Sequence, residues 1–175
     1  MLPRTHHAYR QDAEYKRNGT QAIFMAVEPK GGRRIVSVRD RRTARDFALF
    51  TKKVLNTPAY RTARTIHIVV DNLNTHCEKS FYDTFSKEEA ERIVQKITFH
   101  YTPVHASWLN KAEIELSILS RQCLARRIAT KALMKKLVRL WQARRNRRNA
   151  MIRWTFTVKD ARNVFEEHYT TNSVE

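Results

Sequence analysis

The sequence has no apolar run long enough to cross a membrane, no paired cysteine spacing and, over one long stretch, no acidic residue. A membrane-spanning helix needs about 18 or more consecutive apolar residues, and the residues after Met1 do not follow a signal-peptide pattern. Cys77 and Cys123 stand far apart, without metal-ligand spacing. We therefore expect a cytoplasmic protein without membrane spans or structural disulfides.

Acidic residues are absent from 116 to 159, although the same stretch is rich in Lys and Arg. The net charge of the chain is +17 and its pI is near 10.5, which indicates a polyanionic partner such as nucleic acid. An ordinary solvated helix surface mixes both signs of charge. We therefore interpret this imbalance as phosphate contacts, which position DNA without reading its sequence; simple solubility is the alternative. The predicted DNA-binding residues are Arg121, Arg126, Arg127, Lys135, Lys136, Arg139, Arg144, Arg145, Arg147 and Arg148.

The length and apolar content predict a globular chain with its own core. It has 175 residues, 42% of them hydrophobic. Residues 1–16 are polar, basic and without periodicity, so we expect a poorly ordered lead-in. An RNA-binding or ribosome-associated protein is a further interpretation of the charge, but no aromatic platform motif for RNA is present. We expect no small-molecule substrate.

The pattern of apolar residues predicts alternating strands and helices. Two β-prone runs, 20–28 and 34–39, flank a turn-forming cluster and predict an antiparallel hairpin. Capping-box spacings at 43–46 and 86–89 predict the starts of two helices. The run 66–70 has no polar alternation and predicts a fully buried strand, and 97–101 predicts a second strand. The predicted order is hairpin, helix, strand, helix, strand, helix.

Two carboxylates come at the ends of these elements. Asp71 follows the strand 66–70, and Glu113 lies in the first turn of the last helix of the series. In an open α/β sheet both positions can face the crevice at the carboxyl ends of the strands. Two carboxylates there suit a divalent metal ion. The alternative for Glu113 is a solvated acid that the helix dipole favours.

The residues around these two acids resemble the DDE transposases, and more narrowly the bacterial insertion-sequence branch related to mariner elements. The resemblance rests on VVDNLNTH at 69–76 and on YTPVHASWLNKAE at 101–113. It extends upstream through RNGT at 17–20 and FMAVEP at 24–29, and downstream to WTFT at 154–157. It therefore covers most of the chain, in residues and in order.

This resemblance implies an RNase H-like fold, a mixed sheet flanked by helices, and metal-dependent cutting and joining of DNA. It implies three acidic ligands, of which Asp71 matches the second and Glu113 the third, around two Mg²⁺ (or Mn²⁺) ions. Asn72 and His76 beside Asp71, and His105 and Asn110 beside Glu113, are candidates to orient these acids. For each of these four a hydrogen bond that only fixes the loop is an equal alternative.

The sequence departs from the family pattern at its beginning. The family's first Asp lies on an opening, central strand upstream of residues 17–20, and neither that strand nor the DNA-recognition domain before it is found here. We therefore expect a truncated catalytic core at 17–128 and a basic helical extension at 129–175. Deleting a central strand leaves unpaired strand edges, so the isolated chain is expected to be unstable or to aggregate. With only two of the three acids, it is also expected to show little or no cleavage.

The partners expected from the resemblance are DNA, at element ends and target, and other transposase chains, in a nucleoid-associated bacterial protein. The alternative function is a non-enzymatic remnant that binds DNA or a full-length transposase.

Overall fold

The computed structural model describes residues 19–102 and 110–157, together with residues 159, 160 and 163. The expected lead-in 1–16 and His105 lie outside these residues. Four strands are present: β1 (Ala22–Glu28), β2 (Arg33–Arg39), β3 (Ile66–Val70) and β4 (Ile97–Tyr101). The helices are α1 (Ala44–Leu55), α2 (Lys79–Tyr82), α3 (Lys87–Lys96), α4 (Ala112–Leu119) and α5 (Lys131–Arg147), and a π-helical turn, Ser120–Leu124, continues α4.

Strands β1 and β2 form the predicted antiparallel hairpin, with Met25 opposite Val36. Side chains of α5 cover the outer edge of β2. Asn146 accepts a hydrogen bond from the Arg34 amide at 2.8 Å and donates one to the Arg34 carbonyl at 2.9 Å. Gln142 accepts a bond from the Val36 amide at 2.7 Å. A free edge can recruit another chain, and α5 prevents this along β2.

The spacing of these bonds explains why a helix can cover a strand edge. Gln142 and Asn146 are one helical turn apart, a rise of about 6 Å. The outward-pointing amides of a strand recur every second residue, about 6.8 Å apart. The two periods agree closely enough for both amide side chains to reach β2.

Strands β3 and β4 form a second, parallel pair, with Val70 opposite Tyr101. The prediction of a fully buried β3 is wrong. Val70 is buried, but His67 is exposed and Val69 is 54% exposed. One face of this pair packs on helices, whereas no described element covers the face that carries His67 and Val69.

Helix α1 connects the two pairs of strands. Thr43 and Asp46 form the predicted capping box, with the Thr43 hydroxyl accepting a bond from the Asp46 amide at 3.2 Å. Ser86 likewise accepts a bond from the Glu89 amide at the start of α3. One core cluster joins α1, α2 and α3 to β3 and β4, and its buried members are Phe47, Ala48, Leu55, Val70, Phe81, Ala90, Ile93 and Ile97.

A second core cluster lies between the hairpin, α4 and α5. Its buried members are Val36, Leu119, Cys123, Val138 and Trp141. Leu119, at the end of α4, and Cys123, in the π-helical turn that follows, both lie buried in this cluster. Helix α5 is therefore packed on the hairpin by apolar side chains as well as by the hydrogen bonds to β2.

The described strands make two separate two-stranded sheets and not one continuous mixed sheet. The fold is mixed α/β, as expected, and is consistent with an RNase H-like domain. Across the described ranges, no helix is long and apolar enough to cross a bilayer.

Candidate active site

The carboxyl ends of β3 and β4 are joined by two hydrogen bonds. The Thr102 amide donates to the Val70 carbonyl at 3.0 Å. The Asn72 side chain donates to the Thr102 carbonyl at 2.6 Å. Because these bonds hold the residues on either side of Asp71, they fix the backbone that carries its carboxylate. The Asn72 side chain thus makes a hydrogen bond that fixes the loop and does not contact Asp71 directly.

His76 holds one oxygen of Asp71. Its Nδ1 lies 2.5 Å from Oδ1 of Asp71, and because a carboxylate can only accept, Nδ1 is the donor. The imidazole ring is itself held in place, since it lies 4.6 Å from the ring of Phe47. The backbone carbonyl of His76 accepts a bond from the Tyr101 hydroxyl at 3.0 Å. The Asp71 side chain is 33% exposed. Its Oδ2 has no hydrogen-bond partner in the part of the chain that the structure describes.

Glu113 lies in the first turn of α4, and its side chain is exposed. Asn110 begins this helix: its Oδ1 accepts a bond from the Ala112 amide at 3.1 Å, and its carbonyl accepts one from the Glu113 amide at 3.0 Å. Asn110 therefore orients the first turn rather than the Glu113 carboxylate directly.

Glu115, which the sequence analysis did not assign, is the fully buried acid of α4. Its side chain is 0% exposed, as is that of Arg34. Arg34 donates to both of its carboxylate oxygens, at 2.9 and 2.6 Å, and Arg145 donates to one at 2.5 Å. Helical spacing places Glu115 on a different side of α4 from Glu113. Its partner Arg34 lies 81 residues upstream, so no local sequence pattern indicates this pair.

The Glu115 carboxylate remains charged in this setting. Burial by itself raises its pKa, but the hydrogen bonds and charges of Arg34 and Arg145 outweigh burial and lower the pKa below its ordinary value. Because the guanidinium of Arg145 is committed to Glu115, this predicted DNA-binding residue is less available to phosphate than its neighbours on α5.

Asp71 and Glu113 have the chemistry that a divalent ion requires, because each presents carboxylate oxygens to solvent. Asp71 has one oxygen held and one free, so it can bind an ion without losing its contact to His76. Within the described ranges no three His, Cys, Asp or Glu side chains converge as a ready metal site. A complete ligand set therefore needs a further group.

The other predicted DNA-binding residues of α5 point to solvent. Those with exposed side chains are Lys135, Lys136, Arg139, Arg144, Arg147 and Arg148. Arg121, Arg126 and Arg127, which follow α4, are also exposed. Their assignment to DNA stays a prediction.

Comparison with known proteins gives one family. A family profile described as DDE superfamily endonuclease matches residues 6–135. Searches of the curated proteins and of the solved structures returned no significant match. Because the profile covers well over half of the sequence and includes both Asp71 and Glu113, the chain belongs to the DDE superfamily endonucleases.

Proposed function

We propose that this chain is a partial catalytic domain of an insertion-sequence transposase, which cuts DNA strands and joins them to a target. Family membership implies DNA as the substrate, and DDE superfamily endonucleases generally use divalent metal ions. The observation that supports this function most strongly is the position of Asp71, held on one side by His76 and open on the other, within the matched region.

In this proposal Asp71 and Glu113 hold Mg²⁺ or Mn²⁺. When bound, a pair of such ions activates the attacking oxygen and stabilises the leaving oxygen of a phosphodiester. His76 keeps Asp71 in one orientation by donating a hydrogen bond to one of its carboxylate oxygens. Asn72 and Asn110 fix the two backbone segments from which the acids project. His105 is proposed to act beside Glu113.

The chain alone is proposed to be inactive, because among the described residues no third His, Cys, Asp or Glu side chain joins Asp71 and Glu113 to complete a metal site. A second chain that carries the first acid would restore activity. The separation of the hairpin from β3 and β4 into two sheets supports this proposal, since a strand between them would complete one mixed sheet.

A cleavage assay tests the inactivity. The protein is incubated with Mg²⁺ or Mn²⁺ and DNA that carries the element's terminal repeats, beside Asp71→Ala. We expect no nicking above the level of the variant. Robust nicking that Asp71→Ala abolishes would contradict the inactivity and support the catalytic assignment of Asp71.

Metal binding tests the site without depending on activity. We expect Mn²⁺ binding, measured by electron paramagnetic resonance or calorimetry, to weaken at least tenfold in Asp71→Ala and in Glu113→Ala. Asp83→Ala is the matched control, because Asp83 is an exposed acid at the end of α2. Equal binding by all three variants would contradict the site.

A non-enzymatic remnant that binds DNA or a full-length transposase is the second candidate, favoured by the net charge of +17. Co-purification with a full-length transposase, together with DNA binding that is insensitive to Asp71→Ala and Glu113→Ala, would support it over a catalytic role.

A further inference from the structure

A basic groove lies between β2, the first residues after β2, α1 and α5. It encloses about 760 Å³. Six cationic side chains line it: Arg39, Arg41, Lys53, Lys131, Lys135 and Arg139. Its floor includes Val138 and Gln142, the residues by which α5 contacts β2. The groove is thus part of the packed structure and not a gap between mobile side chains.

Among the residues that the structure describes, two acids line the groove, Asp40 and Asp46. Asp40 pairs with Lys131, and Asp46 lies 3.7 Å from Arg39. Six cations against two acids leave four positive charges. Among the described residues, Arg41, Lys53, Lys135 and Arg139 form no ion pair. The groove therefore presents an excess of positive charge at one place, which attracts an anion.

The ammonium group of Lys53 is held at a fixed position in the groove by hydrogen bonds. Its ammonium donates to the Val36 carbonyl at 3.2 Å and to the Ser37 hydroxyl at 2.9 Å. Partial burial and the charge of Arg39 lower the pKa of Lys53. Neutral oxygens hold this cation in place without neutralising it, so its charge remains available to a ligand.

The groove reaches the helix turn that supports the candidate active site. Asp46 lines the groove, and the next residue of α1, Phe47, packs its ring on His76. His76 in turn holds Asp71. One turn of α1 therefore links the lining of the groove, through Asp46, to the side chain that packs against His76.

We propose that this groove binds the sugar-phosphate backbone of DNA. The assignment rests on the proposed function, because it takes DNA as the polyanion. It adds Arg39, Arg41 and Lys53, which lie outside α5, and Lys131, the first residue of α5, to the predicted DNA-binding residues Lys135 and Arg139. It also separates these two from Lys136, an exposed neighbour on α5 that does not line the groove.

The adjacent residues Lys135 and Lys136 provide a matched test. Binding of a fluorescent DNA duplex is measured by anisotropy at several salt concentrations, with EDTA present so that no metal chemistry contributes. For Lys135→Gln and for Arg139→Gln we expect affinity to fall about fivefold near physiological salt, and the slope of log K against log salt to fall by about one. Lys136→Gln, which removes a predicted phosphate contact outside the groove, should lower affinity by less than either groove variant.

Four other results would each contradict the proposal. Equal losses in Lys135→Gln and Lys136→Gln would overturn the groove, because a diffuse positive surface treats the two lysines alike. DNA binding that neither Lys135→Gln nor Arg139→Gln weakens would overturn the groove and leave the proposed function standing. Tighter binding to an RNA duplex than to DNA would overturn the choice of polyanion. Failure of the unaltered protein to bind DNA would overturn the groove and the proposed function together. Circular dichroism and thermal unfolding of each variant verify that the fold is kept.

Discussion

Glu115 and Asp71 are both carboxylates held by nitrogen donors, yet their surroundings differ in one decisive respect. Both oxygens of Glu115 are taken by Arg34, the group is 0% exposed, and Arg145 adds a further bond. Asp71 has one oxygen bound to His76 and the other free, in a side chain that is 33% exposed. The first arrangement leaves no room for a ligand, whereas the second does. The contrast explains Glu115 as a structural acid and supports the proposal that Asp71 binds a metal ion.

The largest expected effect is on Glu115. Glu115→Gln should lower the free energy of unfolding by about 3–5 kcal/mol, because Arg34 would remain buried and charged without an opposing charge. Urea denaturation measures the change. Glu113→Gln, two residues away on the same helix but exposed, is the control and should stay within about 0.5 kcal/mol. Similar losses in the two variants would remove the distinction between a structural and a functional acid.

Replacing the buried pair together should recover part of that loss. Arg34→Met with Glu115→Leu removes both buried charges, and well-packed apolar residues often replace such a pair without cost. We expect the double variant to be at least about 1 kcal/mol more stable than Glu115→Gln in the same urea experiment. A double variant as unstable as Glu115→Gln would show that the other bonds of Arg34, to the Gly32 and Ala150 carbonyls, carry the stability.

The pH dependence of stability gives a smaller effect. Because Arg34 and Arg145 lower the pKa of Glu115 in the folded protein, its contribution is present above its ordinary value near 4.5 and is lost as the pH falls toward the folded value. Unfolding measured from pH 7 down to pH 3 should therefore show the difference between the natural protein and Glu115→Gln narrowing below about pH 4.5. A difference that stays constant with pH would mean that Glu115 is not the group being titrated.

The smallest effect on stability is expected at Asp71. Asp71→Asn keeps an oxygen that accepts the His76 bond, so the free energy of unfolding should change by no more than about 0.5 kcal/mol. Thermal or urea unfolding without metal measures this. A loss above about 2 kcal/mol would place Asp71 with Glu115 among the structural acids.

Local patterns in the sequence were sufficient for most of the elements. The hairpin, the capping box at Thr43 and the strand that ends before Asp71 are confirmed, because turn residues, caps and β-branched runs act over a few neighbours. The prediction of a fully buried β3 failed, since strand burial depends on what covers each face. A continuous apolar run cannot reveal that one face lacks a covering element.

The contacts of the candidate site also differ in how far apart their residues lie in the sequence. The strand end indicated Asp71, and the family resemblance made His76 and Asn110 candidates beside Asp71 and Glu113; the contact from His76 to Asp71 spans only five residues. The Arg34–Glu115 pair spans 81 residues, and the groove joins β2, α1 and α5. Such contacts depend on how the chain folds back on itself, which neither charge nor periodicity in one sequence specifies.

The amide side chains of Gln142 and Asn146 make the hairpin asymmetric. One border of β2 is occupied by them, while the opposite border, along β1, has no strand beside it among the described residues. An additional strand can therefore pair with β1 but not with β2. The hydrogen bonds to β1 would set its register. Repeated edge-to-edge pairing of hairpins is blocked along β2, so among the described residues α5 leaves only the β1 border of this hairpin for a further strand.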